Sequence, residues 1–396
     1  MPDAPHNTAI LGGRAILPDR EIPDALVLLD GDRIAYLGPR DEDAIPEGAA
    51  LVDAAGQWVI PGLIDTHVHG THGDDVMTAD ADGLRRISAR FAQYGTTGWL
   101  PSTISARHEE LLYAMGTCVE AQRRPGDGAA ILGIHVEGPY INLKRKGAQP
   151  EEGIRDVDFG EVAELLAAAE GSIRVVTLAP ERPGGLELIR RLVAEGIIAS
   201  LGHSDATYEQ ALEAIAAGAT HATHLFNAMP PIHHRDPGLI TACLNEPEII
   251  AEVIPDGVHL APQIVRLALR AKGRDGAALI TDAFSATGLP EGTHTLGPHQ
   301  VIVRGNVCTL PNGTIAGSIL TMDRGIGNAV AFAGVSVVDA VRMGSLVPAR
   351  IAGCAERKGS LEIGKDADVA LLDSSFRCTA TWVRGRQVYG PDTLRR

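Results

Sequence analysis

Val59-Ile60-Pro61-Gly62-Leu63-Ile64-Asp65-Thr66-His67-Val68-His69-Gly70 is a short apolar run that ends in a His-x-His pair. Along a β-strand, side chains at i and i+2 point to the same face. His67 and His69 can therefore reach into one space at the carboxyl end of a strand. Two imidazoles so placed could hold a metal ion, but a pair this short is also what an ordinary strand end can show by chance. What stands at the other strand ends decides between the two.

Moving outward, apolar β-rich runs alternate with amphipathic helical stretches. The pattern predicts strands at Val59–Asp65, Thr97–Pro101, Ala130–Val136, Ile173–Leu178, Ile197–Leu201, His221–His224, Ile250–Ile254 and Leu279–Thr281. Helices are predicted in the gaps, over Asp82–Gln93, Glu109–Gln122, Glu161–Ala169, Leu186–Ala194, Tyr208–Ala216 and Pro262–Ala271. Strands alternating with helices favour a parallel sheet with crossover helices. The expected fold is α/β, a TIM-like (β/α)8 barrel over residues 59–350. On either side the texture changes to short apolar runs and turns: Ala9-Ile10-Leu11 before Gly12-Gly13, Ala25–Leu29 before Asp30-Gly31, Val369–Leu372, and Trp382–Val388. Residues 1–58 and 351–396 are each too short for a core of their own, so the two ends are expected to pair into one small β-sandwich domain.

Two stretches break the rhythm. Gly138 to Val157 carries no periodicity, and a loop that long in a compact domain is usually functional or disordered. After the eighth predicted strand, His299–Arg304, Gly305-Asn306 and Val307–Leu310 spell a β-hairpin, followed by Thr314-Ile315-Ala316-Gly317-Ser318. Both should lie at the carboxyl face, where barrels of this kind build their sites.

Polar residues stand where the apolar runs stop: His67 and His69 after strand one, Glu137 after three, His203 after five, His224 after six and Asp282 after eight. Each alone has an ordinary explanation, such as a solvated acid, a helix-cap neighbour or a turn residue. Six such coincidences in one barrel are implausible. Imidazoles and carboxylates without cysteine suit a catalytic Zn²⁺, Fe²⁺, Mn²⁺ or Co²⁺ rather than a structural zinc or a Ca²⁺ cage. Such an ion acidifies a bound water and polarises a carbonyl. Asp282 would then serve as the base and acid of the proton transfer.

Composition excludes other classes. The chain of 396 residues is 45% hydrophobic and 21% charged, as a globular protein is. Its net charge of −15 argues against nucleic acid or an anionic membrane surface as a partner. Cys118, Cys243, Cys308, Cys354 and Cys378 form no C-x-x-C pair and read as free thiols in a reducing compartment. Residues 1–13 lack the features of a signal peptide, and no run reaches the length of a membrane span, so a cytoplasmic location is expected.

The segments PGLIDTHVHG, HVEGPYIN, LGHSDAT, THLFNAM, DGVHL and TDAFSATG resemble those of the amidohydrolase superfamily, and within it the N-acetylglucosamine-6-phosphate deacetylases, from about Ala9 to Val388. The resemblance implies a hydrolase of amino-sugar catabolism that removes the acetyl group of its sugar phosphate. It implies metal ligation by Glu137, His203 and His224, with a second site at His67 and His69 that only some members have, so that one or two divalent ions per subunit, zinc first, are expected. Asp282 matches the acid/base of the family, and His259, in Asp256-Gly257-Val258-His259, the histidine that contacts substrate and polarises the acetyl carbonyl. Asn227, Ala228 and Arg235 match residues that hold the sugar phosphate, and Ile315-Ala316-Gly317 matches a stretch lining the acetamide pocket. A homodimer is implied as well.

Physical chemistry agrees on Arg235, since guanidinium suits phosphate and the residue lies in a locally basic patch with His233 and His234. Lys144-Arg145-Lys146 on the long loop reads as a solvated surface or as electrostatic steering. The chain departs from the family after Lys146-Gly147, where Ala148-Gln149-Pro150 stands in place of a small residue followed by His-Asn-Pro. Gln149 thus replaces a histidine expected near the sugar, which leaves N-acetylgalactosamine 6-phosphate open as the substrate. A cyclic amidohydrolase would be indifferent to phosphate, and a non-catalytic scaffold of the same fold would show a broken ligand set, which this chain does not.

Overall fold

The computed structural model describes residues 7–391; residues 1–6 and 392–396, the outermost parts of the two terminal pieces, lie outside the described residues. The chain opens with strands β1 (Asn7–Ile16), β2 (Glu21–Asp30), β3 (Arg33–Pro39), β4 (Ala50–Asp53) and β5 (Trp58–Pro61). Gly12-Gly13, read above as a turn, is instead a bulge within β1. Gly12 sits at φ +78°, and the register against β2 shifts between Leu11 and Gly13. A left-handed residue bends a strand locally, and β1 accordingly pairs with β4 along its first half and with β5 along its second.

The stretch that opened the sequence reading is two strands and not one. Trp58–Pro61 is β5, whereas Leu63–Val68 is β6 and belongs to a different sheet. The switch is made at Gly62, whose N–H donates to Asp368 O while the next N–H, of Leu63, donates to Gly95 O. Periodicity could not reveal this, because the apolar residues on both sides of Gly62, Val59-Ile60-Pro61 and Leu63-Ile64, are all buried.

A short hairpin follows, β7 (Gly70–Thr71) with β8 (Asp74–Asp75), and then the parallel strands β9 (Thr96–Pro101), β10 (Ala130–Ile131), β11 (Ile134–Glu137), β12 (Ile173–Leu178), β13 (Ile198–Leu201), β14 (His221–Ala222), β15 (Ile250–Val253) and β16 (Ala277–Leu279). The predicted strand Ala130–Val136 is thus split in two, with β10 on β9 and β11 on β12. The parallel sheet is curled: β6, β9 and β10 form one run, β11 to β16 another, and parallel bridges link Ser102 to His135 and Val68 to Ala283. Asp282 N donates to His67 O at 3.0 Å, which brings the segment after β16 against β6.

Helices bury one stripe against this sheet, as amphipathic spacing requires. In Ala81–Phe91 the buried stripe includes Leu84, Ile87 and Phe91, and in Gly185–Ala194 it is Leu188, Ile189 and Leu192. Past β16 come β17 (Gly292–Leu296), β18 (His299–Arg304) and β19 (Val307–Thr309), which includes the predicted hairpin, and then helices at Met322–Ala333, Val337–Gly344 and Leu346–Ile351. The chain ends on β20 (Val369–Leu372), β21 (Cys378–Val383) and β22 (Arg386–Tyr389). These join β5, so both chain ends share one eight-stranded sheet in the order β22-β21-β20-β5-β1-β2-β3, with β4 on β1.

Candidate active site

The six polar residues singled out at strand ends come together. His67 is near the end of β6, His69 just past it, and Glu137 is the last residue of β11. His203, His224 and Asp282 each lie two or three residues beyond a strand, and all three sit at positive φ, 48°, 29° and 52°. Non-glycine residues enter that region only where their surroundings hold them there, as at functional sites. Strand ends supply the surroundings here, and the turn each residue makes aims its side chain across the sheet's mouth.

Glu137 is the centre. Its Oε1 lies 3.1 Å from Nε2 of both His203 and His224 and 3.4 Å from Nε2 of His67, while its Oε2 lies 3.5 Å from Nε2 of His69. Asp282 Oδ1 is 3.1 Å from His69 Nε2 and 3.8 Å from His67 Nε2. Among the described residues, His67, His69 and Asp282 form one group of converging ligand atoms, and Glu137, His203 and His224 another. All are buried. Burial pushes the Asp282 carboxyl up, but the hydrogen bond from His69 and the charge of His67 outweigh it and hold the group well below the usual range. Glu137 is likewise held low by His67, His203 and His224 against its burial.

The imidazoles are oriented from behind. His203 Nδ1 lies 2.9 Å from Arg145 O, His69 Nδ1 3.1 Å from Ser102 O, and His67 Nδ1 2.9 Å from Glu252 Oε2. An acceptor at Nδ1 fixes the proton there and turns the Nε2 lone pair into the site. His67 Nε2 is buried without a hydrogen-bond partner, which is what a ligand nitrogen shows when it is aimed at a cation. The residues therefore fit a divalent metal.

Glu252 escaped the sequence reading. It is fully buried on β15, and its Oε2 also accepts from the His224 backbone N–H at 3.2 Å. A single acid inside the apolar run Ile249-Ile250-Ala251-Glu252-Val253-Ile254 was the available signal. Behind it lies a buried polar chain that was also missed. His135 Nε2 bonds Thr177 Oγ1 at 2.7 Å, Thr177 bonds Thr223 at 2.7 Å, Thr223 bonds Ser200 at 2.5 Å, and Ser200 bonds His221 Nδ1 at 2.9 Å. Burial takes His135 down to about 3, so it stays neutral.

A pocket of ≈260 Å³ opens over the donors and is lined by His69, Glu137, His203, His224 and Asp282. Ala148, Gln149, Asn227, Ala228, His259, Ile315 and Gly317, all named from the sequence, line it too, while Ala316 is buried. Asp256 does not line it but holds His259, with Oδ2 2.7 Å from His259 Nδ1. Arg235 lies outside the lining on an exposed turn, with Nη1 2.6 Å from His234 Nε2. Lys144 and Arg145 are paired with Asp205, at 2.5 and 2.7 Å. Gln149 is buried and engaged at both ends of its amide: Ser105 N–H donates to Oε1 at 2.6 Å, and Nε2–H donates to Glu137 Oε2.

This arrangement has counterparts. The family model of the amidohydrolase family matches residues 58–388. The N-acetylglucosamine-6-phosphate deacetylase of Vibrio furnissii is 40% identical over 93% of this chain and 92% of its own length. The N-acetylgalactosamine-6-phosphate deacetylase of Escherichia coli O157:H7 is 37% identical over 86% of this chain and 90% of its own. Among solved structures, a substituted form of the N-acetyl-D-glucosamine-6-phosphate deacetylase of Mycobacterium smegmatis, in complex with N-acetyl-D-glucosamine-6-phosphate, is 35% identical with a TM-score of 0.91, covering 97% of this chain and 99% of that one.

Proposed function

The chain belongs to the amidohydrolase family, and on that premise we propose that it hydrolyses the acetamide of N-acetylglucosamine 6-phosphate, releasing acetate and glucosamine 6-phosphate. The observation that carries the reading is the convergence of four imidazoles, Glu137 and Asp282 at the base of one pocket, all but His67 in its lining, which also includes Asn227, Ala228 and His259. Glu137, His203 and His224 would hold one divalent ion; His67 and His69 extend the set to a second, with Glu137 between the two groups. Zinc suits the donors best, and Fe²⁺, Mn²⁺ and Co²⁺ are chemically admissible. A bound ion supplies Lewis acidity and lowers the pKa of a water.

Asp282, ionised and beside His69, accepts the proton of the attacking water and passes it to the leaving nitrogen. As the C–N bond breaks, the acyl carbon leaves as acetate and the nitrogen as the amine of the sugar. His259, its Nδ1–H held by Asp256, presents Nε2 to the acetyl carbonyl. Asn227 and Ala228 face the sugar phosphate from the lining, with Arg235 on the exposed turn beyond it, and Ile315 and Gly317, with Ala316 buried between them, bound the acetamide side. With this chemistry goes a closed (β/α)8 barrel over residues 59–350, a small β-domain from residues 1–58 and 351–396, a homodimer, and a cytoplasmic location. For the last, the support is that among the described residues no helix is long and apolar enough to cross a membrane.

A second reading, deacetylation of N-acetylgalactosamine 6-phosphate, is favoured by Gln149 in the pocket lining and by the similarity to a relative of that name. One assay separates the two: acetate release by the metal-loaded protein from each 6-phosphate epimer and from unphosphorylated N-acetylglucosamine. Preference for the gluco phosphate is the expected result. Preference for the galacto epimer would move the assignment to the second reading, and turnover of none would sink both.

A further inference from the structure

A second cavity, of ≈500 Å³, lies beside the first, and its lining includes Ile104, Arg107, Glu110 and Pro298. Three separate chain segments pass from one cavity to the other within a single peptide unit. Ile104 lines both while Ser105 lines only the second; Gln149 and Leu296 line the first, and their successors Pro150 and Gly297 line the second. The partition between the two spaces is therefore one residue thick.

It is also held together. Ser105 N–H donates to Gln149 Oε1 at 2.6 Å, Gln149 donates on to Glu137, and Gly297 N–H donates to the buried Asp75 Oδ2 at 3.1 Å. A Cβ at Gly297 would fall 2.3 Å from Ile104 Cδ1, so the isoleucine packs directly on that turn. Of the large aliphatic side chains facing the first pocket, Ile104 and Leu296 are each 5% exposed, and Ile315 is 38% exposed. The methyl of an acetamide is the one wholly apolar group at the reacting end of an N-acetylated amino-sugar phosphate. Apolar groups are drawn to apolar walls, which seats that methyl against Ile104 and Leu296.

From these juxtaposed cavities we infer that Ile104, backed by Leu296 and latched by Gln149, is the acyl-length determinant of the enzyme. The inference rests on the deacetylase reading and names what that site excludes: N-acyl groups longer than acetyl, for which the space exists but lies behind the partition. It also assigns Gln149 a part in positioning this wall, in place of reading the sugar alone.

The test compares N-acetyl-, N-propanoyl- and N-butanoyl-glucosamine 6-phosphate with wild-type protein, Ile104→Ala and the milder Ile104→Val, following the released amine so that every acyl group is read alike. One methylene in an apolar pocket is worth about 10-fold or more in discrimination. Wild type should favour acetyl over butanoyl by at least about 10² in kcat/KM. Ile104→Ala should lower that ratio by about tenfold or more, and Ile104→Val should shift mainly the propanoyl substrate. Equal use of acetyl and butanoyl by wild type, or ratios unchanged in the variants, would overturn the inference while leaving the deacetylase reading intact. If wild type released amine from none of the three, that reading would fall and this one with it.

Discussion

Glu252 is the residue whose loss should separate holding a metal ligand from supplying one. Burial raises its carboxyl, but the charge of His67 and the hydrogen bond between them prevail and take it down to about 2. Groups that hold a ligating imidazole in this way are worth about 10–100-fold in metal affinity. Glu252→Leu should weaken metal retention by that order, whereas Glu252→Gln, whose carbonyl can still accept from His67 Nδ1, should keep most of it. Metal content after dialysis against graded chelator reads the difference, and equal loss in both variants would mean that charge and not orientation matters. Asp256 offers a pH test. Burial lowers His259, yet the hydrogen bond it donates to Asp256 wins and raises it above its ordinary 6.5. The cation is thus present below that raised value and is lost as pH climbs through it. Asp256→Asn removes the support, so the alkaline fall in kcat/KM should begin at lower pH in the variant. Of these residues, His259 was legible through its motif; Glu252 was not, because its significance depends on which strand lies beside β6's histidine.

At the level of elements, the helices were read well from their stripes, and Tyr208–Ala216 was found to the residue. Its start is a capping box visible as Thr-x-x-Gln: Gln210 N–H donates to Thr207 Oγ1 at 3.2 Å and Thr207 N–H to Gln210 Oε1 at 3.0 Å. Thr207→Ala should cost about 1 kcal/mol, measured by denaturant unfolding of the metal-replete protein, with turnover retained because neither Thr207 nor Gln210 lines the pocket. An unchanged midpoint would show that packing alone starts this helix. Strands were less legible. The break at Gly62 is set by hydrogen bonds to Asp368 and Gly95, one of them more than three hundred residues away, and no local pattern encodes that partner. The loop from Gly138 to Val157 was rightly singled out as aperiodic. Its contribution to the pocket, Gly147, Ala148 and Gln149, lies between two short 3-10 turns, Leu143–Arg145 and Glu151–Gly153.

Across the whole molecule, the two terminal pieces are tied to one another by an ionic cluster whose Lys358, Asp366 and Asp368 are buried. Lys358 Nζ lies 2.5 Å from Asp368 Oδ2 and 3.1 Å from Asp366 Oδ2, and Arg33 Nη1 reaches Asp366 Oδ1 at 2.6 Å. Removing one member of such a cluster strands the others without compensation, at about 3–5 kcal/mol. Lys358→Met should therefore lower the stability of the protein strongly while the purified folded fraction keeps its metal; loss below about 1 kcal/mol would show that Arg33 and Arg357, the latter 3.4 Å from Asp366 Oδ2, suffice. By itself the sequence determined the alternation of strands and helices, the donor set His67, His69, Glu137, His203, His224 and Asp282, and the family, because periodicity and residue type are local properties. Only the tertiary structure decided that β5 and β6 part company, that Glu252 stands behind His67, that Arg235 lies on an exposed turn outside the pocket lining, and that Ile104 borders two cavities. Each of these depends on which distant segments lie within a hydrogen bond or a van der Waals contact of one another, and that is settled by how curled sheet and loops pack.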